Sequence, residues 1–336
     1  MFGEHGANFI SLLFIFSLLG WYGVNLDLFS TSLQQLACQL FNYSPPLWSI
    51  ELVIGLVITS STILGFTLIE KASLFLVPIM ILVLLYLLYQ GMTYTLSGST
   101  VATDFTGLRF GESVSIVVGS FIVSVVLMPD FSRFARSSKD AITASFLPFL
   151  GISSFVYSVS GFIGTAVASN DILAIMITLG LGSAAFFLLI SASFITNVIN
   201  LYSAALGANA IRTNLRKDKL IIVLGILGTV VASFNLLDNF TDFLFSLSIV
   251  FTPVVAIYVV DFFILRNLKT YQASDINAKG KVNIKAMLAW LSGLITSLLV
   301  NYQVFTITTI EVCDSVLVSG LIYFLLIKLS SKSANK

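Results

Sequence analysis

The stretch ESVSIVVGSFIVSVVLMPDFSRFARSSKD, from Glu112 to Asp140, joins a long apolar run to a basic exit. At about 1.5 Å per residue, the run from Glu112 to Met128 can cross most of a hydrocarbon core about 30 Å thick. Its centre, Gly119-Ser120-Phe121, places a flexible residue and two candidate ligand contacts at mid-depth. Pro129 is predicted to end the helix, and the loop Arg133–Arg136 carries two arginines, as is typical of a cytoplasmic end.

The rest of the chain shares this apolar character. Of its 336 residues, 57% are hydrophobic and 10% are charged, and the mean hydropathy is +1.00. Soluble domains carry about a quarter charged residues, so the composition predicts an all-α integral membrane protein embedded in the lipid bilayer. The net charge of +1 does not favour a nucleic-acid partner. Cys38, Cys313 and the single histidine, His5, lack metal-ligand spacing, and both cysteines are expected to be free, buried thiols.

Ten apolar segments are long enough to span a bilayer. Their predicted bounds are 8–38, 48–69, 72–92, 112–128, 141–166, 172–208, 220–236, 240–263, 286–304 and 308–328. If the opening stretch exits into the cytoplasm, sixteen of the seventeen Lys and Arg residues lie on that side, and only Arg109 lies outside. The pattern therefore predicts a multi-pass protein of the plasma or inner membrane with both termini cytoplasmic. The loop 266–285 is expected to be a solvated connector.

The first segment holds an aromatic and a polar residue deep in the membrane. Trp21 lies about 14 residues into the run, or about 20 Å deep, whereas tryptophan usually lies at the membrane interface. Asn25 follows one turn later on the same face. The pair indicates a stacking surface with a polar neighbour, and packing between helices is the alternative. Asp27 has no intramembrane Lys or Arg to pair with, so it is expected to face the bundle interior or water, where a cation or proton role is a hypothesis.

The sixth segment contains SASFITNVINLYSAALGANA, in which polar residues crowd the expected helix middle. Asn197 and Asn200, three residues apart, share a face. An amide both donates and accepts hydrogen bonds, which suits a ligand with an amide-like edge. Hydrogen bonding between helices is the alternative for each asparagine.

Other acidic residues lie near segment ends. Asp261 precedes Arg266 at a cytoplasmic end and is expected to be interfacial or ion-paired. Water is expected to be close to the acidic residues at outer ends, and no role is assigned to Glu51, Asp242, Glu311 or Asp314. The sequence does not predict an enzyme, because no His/Cys cluster, Ser/His pair or carboxylate dyad lies at mid-depth.

Three motifs, in this order along the chain, resemble the cytosine permeases of the nucleobase/cation symporter family. They are GWYGV at Gly20–Val24, GSFIVS with PDFSRFAR between Gly119 and Arg136, and TNxxNLYS at Thr196–Ser203. The resemblance covers essentially the whole chain. It implies a LeuT-type inverted-repeat transporter fold with about ten transmembrane helices, N-terminally truncated from the family's twelve. The expected organisation is a single transmembrane domain, 1–336, with an incomplete first repeat 1–92, a second repeat 112–263 and two accessory helices 286–328.

The resemblance also implies a substrate site for a planar heterocycle. Its residues would be Trp21, Gly119, Ser120, Phe121, Asn197 and Asn200, and Asn25 is added as a substrate contact because it lies one turn after Trp21. Trp21 and Phe121 would stack on the ring, Ser120 and the backbone at Gly119 would bond its edge, and the two asparagines would read its amide or exocyclic groups.

A cation site is implied at Ala192 and Thr196, and Asp27 is a further candidate. Ile195 departs from the family's hydroxyl at that position and offers no oxygen to a hard cation. Leu18 stands where cytosine permeases carry a glutamine, which leaves other pyrimidines open as substrates.

The expected function is import of cytosine or a related nucleobase or pyrimidine by a secondary active symporter. No cofactor is expected other than the coupling ion, sodium or a proton, and the sequence does not predict the oligomeric state. The alternative is a non-transporting protein, namely a truncated or decayed permease remnant in the membrane.

Overall fold

A computed structural model describes residues 1–64, 67–96, 108–132, 135–169, 171–212, 215–234, 236–266 and 282–334. The regular structure in these ranges is helical. Its helices are α1 Glu4–Phe41, α2 Leu47–Leu64, α3 Thr67–Leu96, α4 Phe110–Ser132, α5 Ser138–Phe146, α6 Ser153–Val167, α7 Ile172–Thr178, α8 Ser183–Ile211, α9 Lys217–Ala232, α10 Phe240–Val259, α11 Ile284–Asn301 and α12 Glu311–Ala334. A π-helical segment, Leu147–Ile152, joins α5 to α6, and another, Val260–Leu265, continues α10.

The predicted transmembrane segments are largely confirmed. Within the described ranges, nine helical stretches are long and apolar enough to cross a membrane. The remaining predicted segment, 220–236, corresponds to α9, which has only 16 residues. Most of the predicted connector after Arg266, residues 267–281, lies outside the described residues.

The sixth predicted segment is not one helix. The chain leaves α7 at Thr178 and enters α8 at Ser183. Between them Gly180 and Gly182 adopt φ angles of +92° and +52°. Such backbone conformations are readily available to glycine and interrupt a right-handed helix. Hydropathy does not register this change, so the prediction of one continuous span was wrong here.

Two further expectations need correction. α4 does not end at Pro129 but runs on to Ser132, because a proline removes a single backbone hydrogen bond and membrane helices tolerate this loss. Pro78 inside α3 and Pro253 inside α10 are parallel cases. The cysteines are free, as expected, but Cys38 is exposed because it lies in the last turn of α1.

The chain divides into two compact units. Unit 1 contains Met1–Ser17, Gly107–Phe134 and Asn239–Lys336, and unit 2 contains Leu18–Thr106 and Ala135–Asp238. The repeat boundaries expected from the sequence stay a prediction.

Unit 1 is built around α10, which packs against α4, α11 and α12. Trp290 on α11 donates its indole N–H to the Val250 carbonyl oxygen at 3.0 Å. A Cβ atom added to Gly293 would lie 2.8 Å from the Cβ of both Pro253 and Ser319, so three helices meet at this glycine. Small residues therefore set the helix spacing in this unit.

Asp261 is ion-paired at the cytoplasmic end predicted for this segment. Its Oδ2 lies 3.3 Å from Arg266 Nε, and its Oδ1 accepts a hydrogen bond from Tyr323 Oη at 2.6 Å. Asp261 is only 3% exposed and Tyr323 is fully buried. The expectation of an ion-paired residue is confirmed.

In unit 2, α2 and α9 pack through two reciprocal glycine–threonine pairs. A Cβ atom on Gly55 would lie 3.0 Å from Thr229 Cγ2, and a Cβ atom on Gly225 would lie 2.9 Å from Thr59 Cγ2. Each threonine donates its hydroxyl to the glycine of its own helix, with distances of 2.7 Å for Thr59 to Gly55 and 2.8 Å for Thr229 to Gly225. Each helix thus supplies a glycine that leaves space at the interface and a threonine that fills the space beside the opposite glycine.

We expect Gly55→Ala to lower the midpoint of thermal unfolding of the purified protein. The added methyl group would collide with the short, branched Thr229 side chain, and such overpacking costs about 1–3 kcal/mol. The control is Gly161→Ala on α6, where an added Cβ meets no atom within 4 Å. The double variant Gly55→Ala/Thr229→Ala should recover much of the loss. Equal stability of both single variants would contradict this packing.

Candidate functional site

Trp21 and Asn25 lie on α1, within unit 2, and both are partly buried. Asn25 Nδ2 donates to the main-chain oxygen of Trp21 at 2.8 Å. This local bond fixes the amide beside the tryptophan, one turn along the same helix face, as the spacing predicted. The intervening Tyr22 is fully buried on another face, where it packs against Gly228 of α9.

Asn197 is the most unusual polar residue of α8. Its side chain is 0% exposed, and neither Oδ1 nor Nδ2 has a hydrogen-bond partner among the described residues. The buried Nδ2 atom of Asn200, one turn on, is also unpartnered. In the part of the chain that the structure describes, Asn197 therefore makes no interhelical hydrogen bond. A buried amide without partners costs about 1–3 kcal/mol, so these groups are suited to accept a ligand that supplies the missing bonds.

The predicted contribution of α4 lies in unit 1. Gly119 is buried, and a Cβ atom there would collide with the Leu244 carbonyl oxygen of α10. The helices therefore approach backbone to backbone at this glycine. Ser120 and Phe121 are partly buried, and the Ser120 hydroxyl donates to the Val117 carbonyl oxygen at 2.6 Å. Gly119 thus has a packing function in addition to any role toward a ligand.

The cation candidates lie on α1 and α8 of unit 2. Asp27 is 7% exposed, as expected for a residue facing the bundle interior. It accepts a hydrogen bond from Thr31 Oγ1 at 3.4 Å and faces the main chain of Leu237, and neither partner lies on α8. Ala192 is partly buried and Thr196 is exposed.

A cavity of about 750 Å³ opens in unit 2, with mainly apolar walls. α8 contributes Ser191 and Ile195 to it, α1 contributes Phe29, and α3 contributes several residues between Phe75 and Val83. Its lining contains none of the predicted substrate residues. Ile195, where the resemblance expects a hydroxyl, therefore faces an apolar space.

The sequence misjudged three acidic residues. Glu51, Glu311 and Asp314 were expected near water, but they are 5%, 3% and 0% exposed. Asp314 is satisfied by the loop before α12, because its carboxylate accepts hydrogen bonds from the main-chain N–H groups of Ile307 and Thr308 at 2.7 and 2.8 Å. Neighbouring helices bury Glu311. The position of a residue within its own segment does not predict burial by other helices.

The helices of bilayer length define a multi-pass membrane protein, and the unpartnered amides buried in α8 are suited to bind a ligand. The backbone matches the inward-facing conformation of Mhp1 with a TM-score of 0.78 and 18% sequence identity, covering 99% of this chain and 76% of that one. This match confirms the LeuT-type fold expected from the motifs.

The chain belongs to the family of permeases for cytosine/purines, uracil, thiamine and allantoin, whose profile matches residues 1–323. It is 30% identical over 308 residues to a cytosine permease of Escherichia coli O157:H7, covering 88% of this chain and 70% of that protein. The cytosine permease of Escherichia coli K12 is 29% identical over the same length. The family consists of permeases, so the chain is a transporter and not an enzyme.

We expect Asn197→Leu to unfold at an equal or higher temperature than the native protein. The substitution removes a buried amide without partners, and the relief of its desolvation offsets any loss of fit. Asn25→Leu is the matched control, because it removes an amide that is hydrogen-bonded and should bring no such gain. A marked fall in the unfolding midpoint of Asn197→Leu would instead indicate that Asn197 holds helices together.

Proposed function

We propose that this permease imports cytosine or a related pyrimidine-like heterocycle across the cell membrane. The observation that carries the proposal is the fully buried Asn197 amide, whose donor and acceptor are both unpartnered. The exposed edge of a nucleobase offers complementary donors and acceptors. The names of the curated relatives support cytosine as the first compound to test.

Trp21 and Asn25 are proposed to bind the same ring in unit 2. The half-buried indole offers a flat apolar face, and the neighbouring amide is already held in place by its bond to the main chain. Asn200 supplies a further unpartnered N–H group on α8. For unit 1, the proposal retains Gly119, Ser120 and Phe121 as substrate contacts, to be tested by separate variants.

The transport is proposed to be coupled to sodium or protons, with Asp27, Ala192 and Thr196 as the cation-binding residues in unit 2. The nearly buried Asp27 carboxylate supports this assignment, since a negative charge at that depth is costly without a positively charged partner. Uptake that collapses with a protonophore but is indifferent to sodium would favour protons, and the opposite result would favour sodium.

We expect Trp21→Ala and Asn197→Ala each to weaken binding of radiolabelled cytosine or uracil by about tenfold or more. Stacking of a base on an aromatic side chain is worth about 1–3 kcal/mol by alanine substitution. Binding should be measured on the purified protein, and uptake in proteoliposomes. Trp48→Ala is the matched control, because Trp48 is 67% exposed at the start of α2. Unchanged binding and uptake in both site variants would refute the site assignment.

The proposed orientation places both termini in the cytoplasm and the end of α1 outside the cell. We therefore expect a membrane-impermeant maleimide to label the exposed Cys38 thiol in intact cells, and Cys38→Ser to abolish most of that labelling. The half-buried Cys313 should react more slowly. Labelling of Cys38 only after the membrane is permeabilised would reverse the orientation.

A further inference from the structure

We propose that unit 1 contains a sodium-binding site built around Glu311, separate from the substrate and cation residues proposed in unit 2. Glu311 is the first residue of α12 and is only 3% exposed. Its Oε2 accepts a hydrogen bond from Ser248 Oγ at 3.0 Å, whereas its Oε1 has no partner. A carboxylate oxygen is thus left buried and unpaired in a helix of bilayer length.

Two further hydroxyl groups face this carboxylate from other helices. Ser115 comes from α4 and Ser297 from α11, and both are 0% exposed. Both hydroxyls are close enough to interact with the Glu311 carboxylate, yet among the described residues neither serine Oγ nor Glu311 Oε1 makes a hydrogen bond of standard geometry. Together with Ser248 on α10, the residues around Glu311 form a cage of oxygen atoms drawn from four helices. Hard cations take ligands of this kind.

Close helix contacts hold this cage in place. Gly119, one turn beyond Ser115, lies against the backbone of α10 at Leu244, one turn before Ser248. Ser315, one turn beyond Glu311, donates its hydroxyl to the Gly293 carbonyl oxygen of α11 at 3.2 Å. Backbone contacts on both sides make the arrangement rigid, as a preorganised ion site requires.

The charges around the cage favour a monovalent ion. Three ion pairs are found among the described residues, Arg109–Glu112, Arg216–Asp218 and Arg266–Asp261, and Glu311 belongs to none of them. Asp314, which also interacts electrostatically with Glu311, accepts hydrogen bonds from the loop before α12. Of these two buried carboxylates, Glu311 is the one with an oxygen that lacks a hydrogen-bond partner, and a monovalent ion supplies the single positive charge that this group needs.

Several unpartnered oxygens favour sodium over a proton. A proton would attach to a single carboxylate oxygen and make no use of the serine oxygens around it. A sodium ion is coordinated by several oxygens at once. The ion can reach the cage through a cavity of about 340 Å³, whose lining includes Glu311, Asn301, Gln303 and the paired Arg109 and Glu112. Water in this cavity can complete the coordination.

The test is binding of radioactive sodium to the purified 336-residue protein, with choline replacing sodium at constant ionic strength. We expect Glu311→Gln, which keeps the shape and removes the charge, to bind one sodium ion fewer per chain than the native protein. Ser115→Ala and Ser297→Ala should raise the sodium Kd several-fold. Sodium should also raise the thermal unfolding midpoint of the native protein by more than it raises that of Glu311→Gln.

Matched controls come from the same unit and helix. Asp242→Asn and Ser246→Ala alter exposed residues of α10 and should leave sodium binding unchanged. Asp27→Asn should leave the Glu311-dependent ion in place, which separates this site from the coupling site proposed in unit 2. If Glu311→Gln fails to fold, Ser297→Ala decides the question. Sodium binding that depends neither on Glu311 nor on Ser297 would overturn the proposal, as would protonation of Glu311 without sodium binding.

Discussion

The hydrocarbon interior of a bilayer offers no hydrogen-bonding partner, and this constraint shapes every described helix of the protein. The hydroxyls of Thr59, Thr62 and Thr229 meet it by bonding to carbonyl oxygens one turn back in their own helices. Asn197 and Glu311 are also buried, but each has at least one side-chain polar atom without a hydrogen-bond partner among the described residues. Each unit therefore contains a buried polar group with unused hydrogen-bonding capacity, and these are the groups to which we assign ligands.

The transmembrane helices could be predicted from the sequence because length and apolarity are local properties of a segment. The places where the prediction failed depend on backbone geometry. Gly180 and Gly182 break the sixth segment through their φ angles, while hydropathy remains high across them. Pro129, in contrast, was given too much weight, because α4 continues past it. Glycine conformation and proline tolerance are decided by the surrounding structure, which a single sequence does not contain.

The candidate site residues also divide into those that could be predicted from the sequence and those that could not. Trp21, Asn25 and Asn197 could be selected from the sequence because aromatic and amide side chains are unusual in mid-membrane. Glu311 could not, since its burial comes from α4 and α10, which are distant in sequence, and from the preceding helix α11. One local signal was present: Glu311, Ser315 and Ser319 recur at intervals of four residues and so share a helix face. All three are buried, so this spacing would have indicated a polar face turned inward.

The reciprocal pairs between α2 and α9 also restrict how the family can diverge. Gly55 must stay small as long as residue 229 is a threonine, and Gly225 must stay small as long as residue 59 is one. A larger residue at one position is tolerated when the residue at the other position becomes smaller. Selection therefore acts on the pair and not on either residue alone, and homologous permeases should carry correlated substitutions at these positions.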